Sequence, residues 1–234
     1  MSLSEKYGRT YHYPFSPGTT SDDRISTGYW EDLSHITTVI HTEKLDGENN
    51  FLSQYGVFAR SHAAPTTSPW TRALREKWSM LKRDLGDYEI FGENLYAIHS
   101  IRYPEIDQHY FVFGVRENGR WLCWEETAFI ASFFDFPTVP VLGTSSLPRE
   151  RTVYEQELLQ LVQLAGTFGS VDVQTGEPCT MEGVVTRNVE AYEAADFRNN
   201  VWKYVRKGHV KTDEHWIRNW KRAPLNFEKH VAHT

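Results

Sequence analysis

Cysteine is scarce in this chain: there are two in 234 residues, Cys123 and Cys179, with no CxxC spacing. That argues against a disulfide scaffold and against a cysteine-built zinc site. Long apolar runs are missing, and the opening stretch MSLSEKYGRTYHYPF lacks an apolar signal core. The expectation is a reduced, cytoplasmic protein with no membrane contact. Excess positive charge is missing too. The formal net charge is −6, so no global field attracts polyanions, and any phosphate or nucleic-acid site must be a local cluster. No internal repeat or low-complexity tract is visible, which sets aside solenoids and disordered arrays.

What is present suits a folded enzyme-sized domain. Hydrophobic residues make up 40% and aromatic residues 14% of the chain, enough for a substantial core. The segment YHYPFSPGTTSDDRISTGYW, rich in Pro, Gly, Ser and Thr, reads as ordered loop. ITTVIHTEKL is alternating and β-branched, hence a strand, and NFLSQYGVFARS reads as a hairpin turning near Gly56. SPWTRALREKWSMLKRDLG reads as a helix, with Ser68 as cap, Pro69 in the first turn and Gly86 at the end. Its Arg72, Arg75, Lys82 and Arg83 lie largely off the apolar stripe, and the plain reading of that basic face is a solvated surface. DYEIFGENLYA and HYFVFGVRENGRWLCW are strand-like, the second turning at Asn118-Gly119. EETAFIASFFD and TVYEQELLQLVQLAG read as helices, MEGVVTR and NNVWKYVRKGHV as strands. TDEHWIRNWKR reads as a short closing helix capped by Thr212 or Asp213. Strands and helices mix without βαβ alternation, which predicts an α+β fold with antiparallel sheets in a single domain, 1–234.

One stretch suggests chemistry: HTEKLDGENN, from His41 to Asn50, puts Lys44, Asp46 and Gly47 at the end of a strand. A lysine nucleophile must be a free amine, and a pKa of about 10.4 leaves roughly one molecule in a thousand deprotonated at neutral pH. Lowering that pKa to about 7.4 takes roughly 4 kcal/mol. Cations or a metal supply it, whereas carboxylates push the wrong way. Lys44, flanked by Glu43 and Asp46, therefore needs positive charge from elsewhere. A K-x-D-G string arises by chance in roughly one chain in twenty of this length. Its plain reading is a turn with Gly47 at positive φ, so partners in a fixed order downstream must decide.

Such partners follow: EKLDGEN, FARS, EIFGENL, YFVFGV, MEGVV and VWKYVRK. The ordered set resembles the six nucleotidyltransferase motifs of the covalent ligase and mRNA-capping superfamily, over about Thr42 to Val210. It looks most like the ATP-dependent RNA ligases related to phage RNA ligase 2. The resemblance implies a nucleotidyltransferase (adenylyltransferase) domain of antiparallel β-sheets flanked by helices, with the nucleotide pocket between the sheets. It implies ATP and Mg²⁺ (or Mn²⁺), and RNA ends, on a nicked duplex or a single strand, as partners. The lysine takes AMP from ATP, passes it to a 5′-phosphate end, and a 3′-hydroxyl then displaces it. By position Lys44 is the nucleophile, Glu43 matches an acid that reads adenine, and Gly47 admits the nucleotide to the backbone. Asn49 matches an asparagine near the phosphates, and Arg60 an arginine on the ribose or RNA end. Glu93 matches the acid on the ribose hydroxyls, Phe113 the aromatic that stacks on adenine, Glu182 the acid near the metal, and Lys203 a lysine on the phosphates. Lys203, Arg60 and the metal are then the charges that Lys44 lacks locally.

The chain departs from that pattern in places. Val205 stands where many relatives carry a second basic residue, with Arg206 and Lys207 following, and Gly114 where many carry an acid. The superfamily usually adds an OB fold or helical module, and too little chain follows Val210 for one, so an accessory RNA-binding protein enters as a partner. KYGRTYHYPFSPGTTSDDR looks like a stretch preceding the lysine in one bacterial and phage branch. Its Arg9, His12 and Ser16 either reach the RNA end or pyrophosphate, or belong to a belt packed across the domain, and the belt is the favoured reading. His209 and His215 have no third ligand at suitable spacing and read as structural. The competing readings are a DNA ligase or capping-type nucleotidyltransferase, and a nucleotide- or RNA-binding module without strand joining.

Overall fold

The computed structural model describes residues 6–60, 64–147, 150–208 and 219–231. The β-branched run becomes strand β2 (Thr38–Lys44), and its alternation divides the side chains between two environments. Val39 goes to a core under helices, whereas Thr42 and Lys44 face the other way. Strand β2 is an inner strand of a five-stranded sheet. It lies between β9 (Val141–Ser146) and β11 (Gly183–Asn188), which is followed by β13 (Val201–Val205) and the edge strand β1 (Tyr11–His12). His41 crosslinks three of these strands, with Nδ1 2.9 Å from Thr186 Oγ1 and Nε2 3.0 Å from Ser145 Oγ.

A second, six-stranded sheet faces the first. It contains β3 (Glu48–Ser53), β4 (Gly56–Ala59), β5 (Tyr88–Asn94), β7 (Tyr110–Glu117), β8 (Arg120–Trp121) and β12 (Tyr192–Glu193), in the order β12-β8-β7-β5-β3-β4. The strands β6 (Ile101–Arg102) and β10 (Val171–Asp172) make a separate pair. Both predicted hairpins form, and Asn118 and Gly119 take φ of 49° and 80°, the positive pair a tight two-residue turn needs.

Period-2 patterning sorts the molecule into layers. Between the sheets Phe51, Phe91, Phe111, Phe113 and Trp121 meet Leu45 and Val201. Outside the first sheet, Tyr29 and Leu33 of helix α1 (Tyr29–Ser34) and Tyr154 and Leu158 of α4 (Arg151–Leu161) cover Val39, Val184 and Trp202. Outside the second, Leu74 of α2 (Arg72–Leu81) and Ile130 of α3 (Trp124–Phe133) cover Leu52, Ile90 and Val112. A last helix, α5, spans Asn226–Val231.

Three expectations change. The N-terminal segment is no mere loop: β1 pairs in parallel with β13, and α1 follows. The helix predicted from Ser68 begins as a 3₁₀ turn, Pro69–Thr71, and Ser68 makes no side-chain cap. The proposed cap and most of the closing helix, with His209 and His215, lie outside the described residues, and residues 219–222 are not helical.

Candidate active site

The ends of the facing sheets enclose a cleft of about 620 Å³, and it collects the site residues that the resemblance implies: Glu43, Lys44, Asn49, Arg60, Glu93, Phe113, Glu182 and Lys203. Lys44 ends β2 opposite Gly183 of β11. A Cβ on Gly183 would collide with the Tyr204 carbonyl, so glycine there lets β13 close against β11 and bring Lys203 toward Lys44. Cross-strand register sets His12, Lys203, Val185 and Thr42 in one row on the cleft side. From the second sheet Asn49 and Glu93 stand opposite each other on β3 and β5.

Lys44 Nζ lies 2.6 Å from Glu182 Oε1, and Glu182 is 3% exposed. Burial acts to discharge the amine, but Glu182, Glu93 and Asp46 outweigh it and hold its pKa above the ordinary value. The carboxylates of the described residues thus set the direction of this shift, and the expected relief of Lys44 also calls on a metal. Burial, then Glu182 and Asp46, push Glu93 up to about 7 against the pull of Lys44 and the Gly47 N–H. That N–H donates to Glu93 Oε1 at 3.1 Å and ties the lysine loop to β5.

Asp46 and Gly47 serve the loop. Asp46 Oδ2 accepts from the Ser100 and Ile101 amides, both at 2.8 Å, and the Asp46 amide donates to Tyr103 Oη at 2.8 Å. Gly47 is not at positive φ. A Cβ there would lie 2.5 Å from the Asn94 carbonyl oxygen, so the close approach that demands glycine is to β5. Glu43 alternates to the opposite face of β2 and still borders the cleft. Its Oε2 accepts from the Thr167 amide at 2.8 Å, while Oε1 is buried with no hydrogen-bond partner among the described residues. Burial raises its pKa against that hydrogen bond. Asn49 Oδ1 is also buried and unpartnered. Two such orphans bordering one cleft, Glu43 from the first sheet and Asn49 from the second, are what a bound ligand would satisfy.

Phe113 is both core and cleft wall, 5% exposed. In the β5–β7 ladder Phe91 faces Gly114 and Gly92 faces Val112, which leaves Phe113 as the extra residue of a β-bulge that re-aims its ring. Arg187, which the motif reading passed over, lies with its guanidinium carbon 5.3 Å from that ring's centroid. It donates to Thr42 Oγ1 at 2.6 Å and lines the cleft. Arg60 is exposed at the rim, its amide held by the Asn49 carbonyl at 3.1 Å. Val205 is buried in the wall, and Arg206 follows beyond β13. His12 and Ser16 are buried, as the belt reading expected, and Arg9 donates to the Asp22 carbonyl at 3.4 Å. Yet His12, which the alternative reading carried toward the RNA end or pyrophosphate, borders the cleft, and so does Asp23, which the sequence reading did not single out.

No group of three or more His, Cys, Asp or Glu able to hold a metal alone occurs among the described residues. Glu182 and Glu93 nevertheless suit a Mg²⁺-type ion, which is held by one or two carboxylates and completes its shell with substrate phosphates and water.

Two facing sheets, antiparallel except where β1 meets β13, are the nucleotidyltransferase fold of ligases. Within that fold the chain belongs to the RNA ligase family, whose sequence profile matches residues 37–205. Among solved structures it is similar to an archaeal ATP-dependent RNA ligase (20% identity, TM-score 0.53, covering 83% of this chain and 48% of that one). It is also similar to a Naegleria gruberi RNA ligase with PPi (15% identity, TM-score 0.54, covering 87% and 60%). A variant of the Naegleria gruberi enzyme with ATP and Mn gives 14% identity and TM-score 0.54, covering 94% and 61%. At such identities the likeness is one of fold, and the chain spans about half to three-fifths of those structures. Comparison with curated proteins returned no match. No helix among the described residues is long and apolar enough to cross a membrane.

Proposed function

We propose that this chain is the adenylyltransferase domain of an ATP-dependent RNA ligase that seals 5′-phosphate and 3′-hydroxyl RNA ends. The observation that carries the reading is the single cleft in which Lys44, Glu93, Glu182 and Lys203 converge from two sheets. In the first step Lys44 Nζ attacks the α-phosphorus of ATP, a P–N bond forms, the P–O bond to pyrophosphate breaks, and the amine loses its proton. AMP then passes to the 5′-phosphate of an RNA end, and a 3′-hydroxyl displaces it.

Phe113 offers its ring to adenine, and the orphaned Glu43 Oε1 and Asn49 Oδ1 offer acceptors to the nucleotide. Glu93 accepts from the ribose hydroxyls, and Lys203 and Arg60 neutralise phosphate charge. A divalent ion held by Glu182 would offset the carboxylates around Lys44 and lower the cost of its deprotonation.

The test is the intact mass of the protein with ATP and Mg²⁺, before and after pyrophosphate. A gain of one AMP, reversed by pyrophosphate and lost in Lys44→Ala, is the expected result. ATP binding with no covalent adduct would instead favour a binding module. Labelling by GTP rather than ATP would favour a capping-type enzyme, and sealing of DNA but not RNA nicks a DNA ligase.

A further inference from the structure

The N-terminal segment brings a carboxylate onto the lysine of β13. Asp23 Oδ1 lies 3.3 Å from Lys203 Nζ and 3.0 Å from His12 Nε2. Its Oδ2 accepts from the amide and hydroxyl of Thr20, at 3.0 and 3.1 Å. His12, 1% exposed, stands beside Lys203 in the β1–β13 register. Its Nδ1 is 2.9 Å from Ser16 Oγ, which takes the Val205 amide proton at 2.9 Å. Ser16 Oγ can donate to a neutral ring at Nδ1, and Nε2 meets Asp23 in a polar contact rather than a hydrogen bond. Burial and Lys203 hold the ring neutral, its pKa lowered to about 4.

We propose, on the nucleotidyl-transfer reading above, that Asp23 is a positioning residue for Lys203. The carboxylate fixes the amine on the cleft wall in its charged form, and His12 and Thr20 fix the carboxylate. The groups facing Lys203 explain the need. Lys44 comes from β2, Arg60 from the turn after β4, His12 and Asp23 from the N-terminal segment, and apolar Val185 from β11. Burial and Lys44 lower the lysine's pKa, Arg60 adds to this, and among the described residues Asp23 is the one acid paired with it. A discharged or wandering amine would not meet the phosphates.

The test uses Asp23→Asn and Asp23→Glu in the full chain, with two readouts. The first is the Lys203 side-chain titration by NMR, assigned with Lys203→Arg. Its midpoint should fall by about one unit or more in Asp23→Asn, the shift one adjacent opposite charge produces, and return in Asp23→Glu. The second is single-turnover adenylylation against pH. Asp23→Asn should lose rate, and ATP affinity with it, increasingly toward alkaline pH, and Asp23→Glu should restore both. An unchanged Lys203 titration overturns the proposal. Faster adenylylation with tighter ATP binding also overturns it, because Asp23 would then be a brake. If the wild type forms no adenylate, the nucleotidyl-transfer reading fails, and the NMR arm still decides whether Asp23 holds Lys203.

Discussion

At the scale of residues, Glu93 shows what this cleft costs the fold. Its carboxyl is pushed up to about 7 by burial and the neighbouring acids, whereas an unfolded glutamate titrates near 4.3. The folded state therefore holds a proton that the unfolded chain releases between these values. Stability falls as pH rises from about 4.3 to about 7 and stays lowered above that. Glu93→Gln keeps the oxygen that accepts from Gly47 and removes the charge. Discounted for partial exposure and for the lost attraction to Lys44, the variant should gain on the order of 1–2 kcal/mol at pH 8. That is a few degrees in Tm, and the gain should vanish near pH 4. Urea unfolding of both proteins at the two pH values checks it, and a variant less stable at pH 8 would contradict it. The loss of adenylylation expected in the same variant would mark the acid as kept for chemistry.

At the scale of elements, the N-terminal segment is held to the first sheet through His12, whose folded pKa of about 4 lies below the unfolded value near 6.5. The unfolded ring takes up a proton first as pH falls. The neutral ring's contribution is thus complete above pH 6.5 and is lost progressively toward pH 4. The loss should reach on the order of 2–3 kcal/mol, less in His12→Gln, where nothing titrates. Comparing the two proteins by denaturant unfolding at pH 7.5 and 4.5 isolates this effect from the carboxylates they share, and equal pH slopes would refute it. The same segment shows where sequence reading stops. β2, the two hairpins and the RNA ligase family were legible because period-2 patterning, an Asn-Gly turn and a motif series are local signals. β1 is two residues long and owes its existence to distant β13. The bulge at Phe113 and the row joining His12 to Lys203 depend on register, which no single stretch of sequence carries. The turn reading put Gly47 at positive φ, which it does not adopt, and the backbone it closely approaches, at Asn94, lies far along the chain.

At the scale of the whole molecule, charge is the main constraint on how the RNA of the proposed activity would be held. The chain carries a formal net charge of −6, and the cleft itself includes Asp23, Asp46, Glu93 and Glu182 beside Lys44, Arg60, Arg187 and Lys203. Lys44 and Lys203 are already paired with acids, and Arg187 is buried against Thr42. Arg60 is the exposed cation at the rim. On the proposed activity few phosphates are neutralised, and binding must rest on the activated end rather than on a broad basic track. Each neutralised phosphate of a single strand contributes about −0.7 to the slope of log K against log salt. The expected slope for a short 5′-phosphorylated RNA is therefore shallow, between about −1 and −2, for two or three phosphates. Fluorescence anisotropy across a salt series measures it, and Arg60→Ala should flatten the slope by about 0.7. A slope several times steeper would show a basic surface outside the cleft, and the assignment of RNA contact to the rim would fall with it.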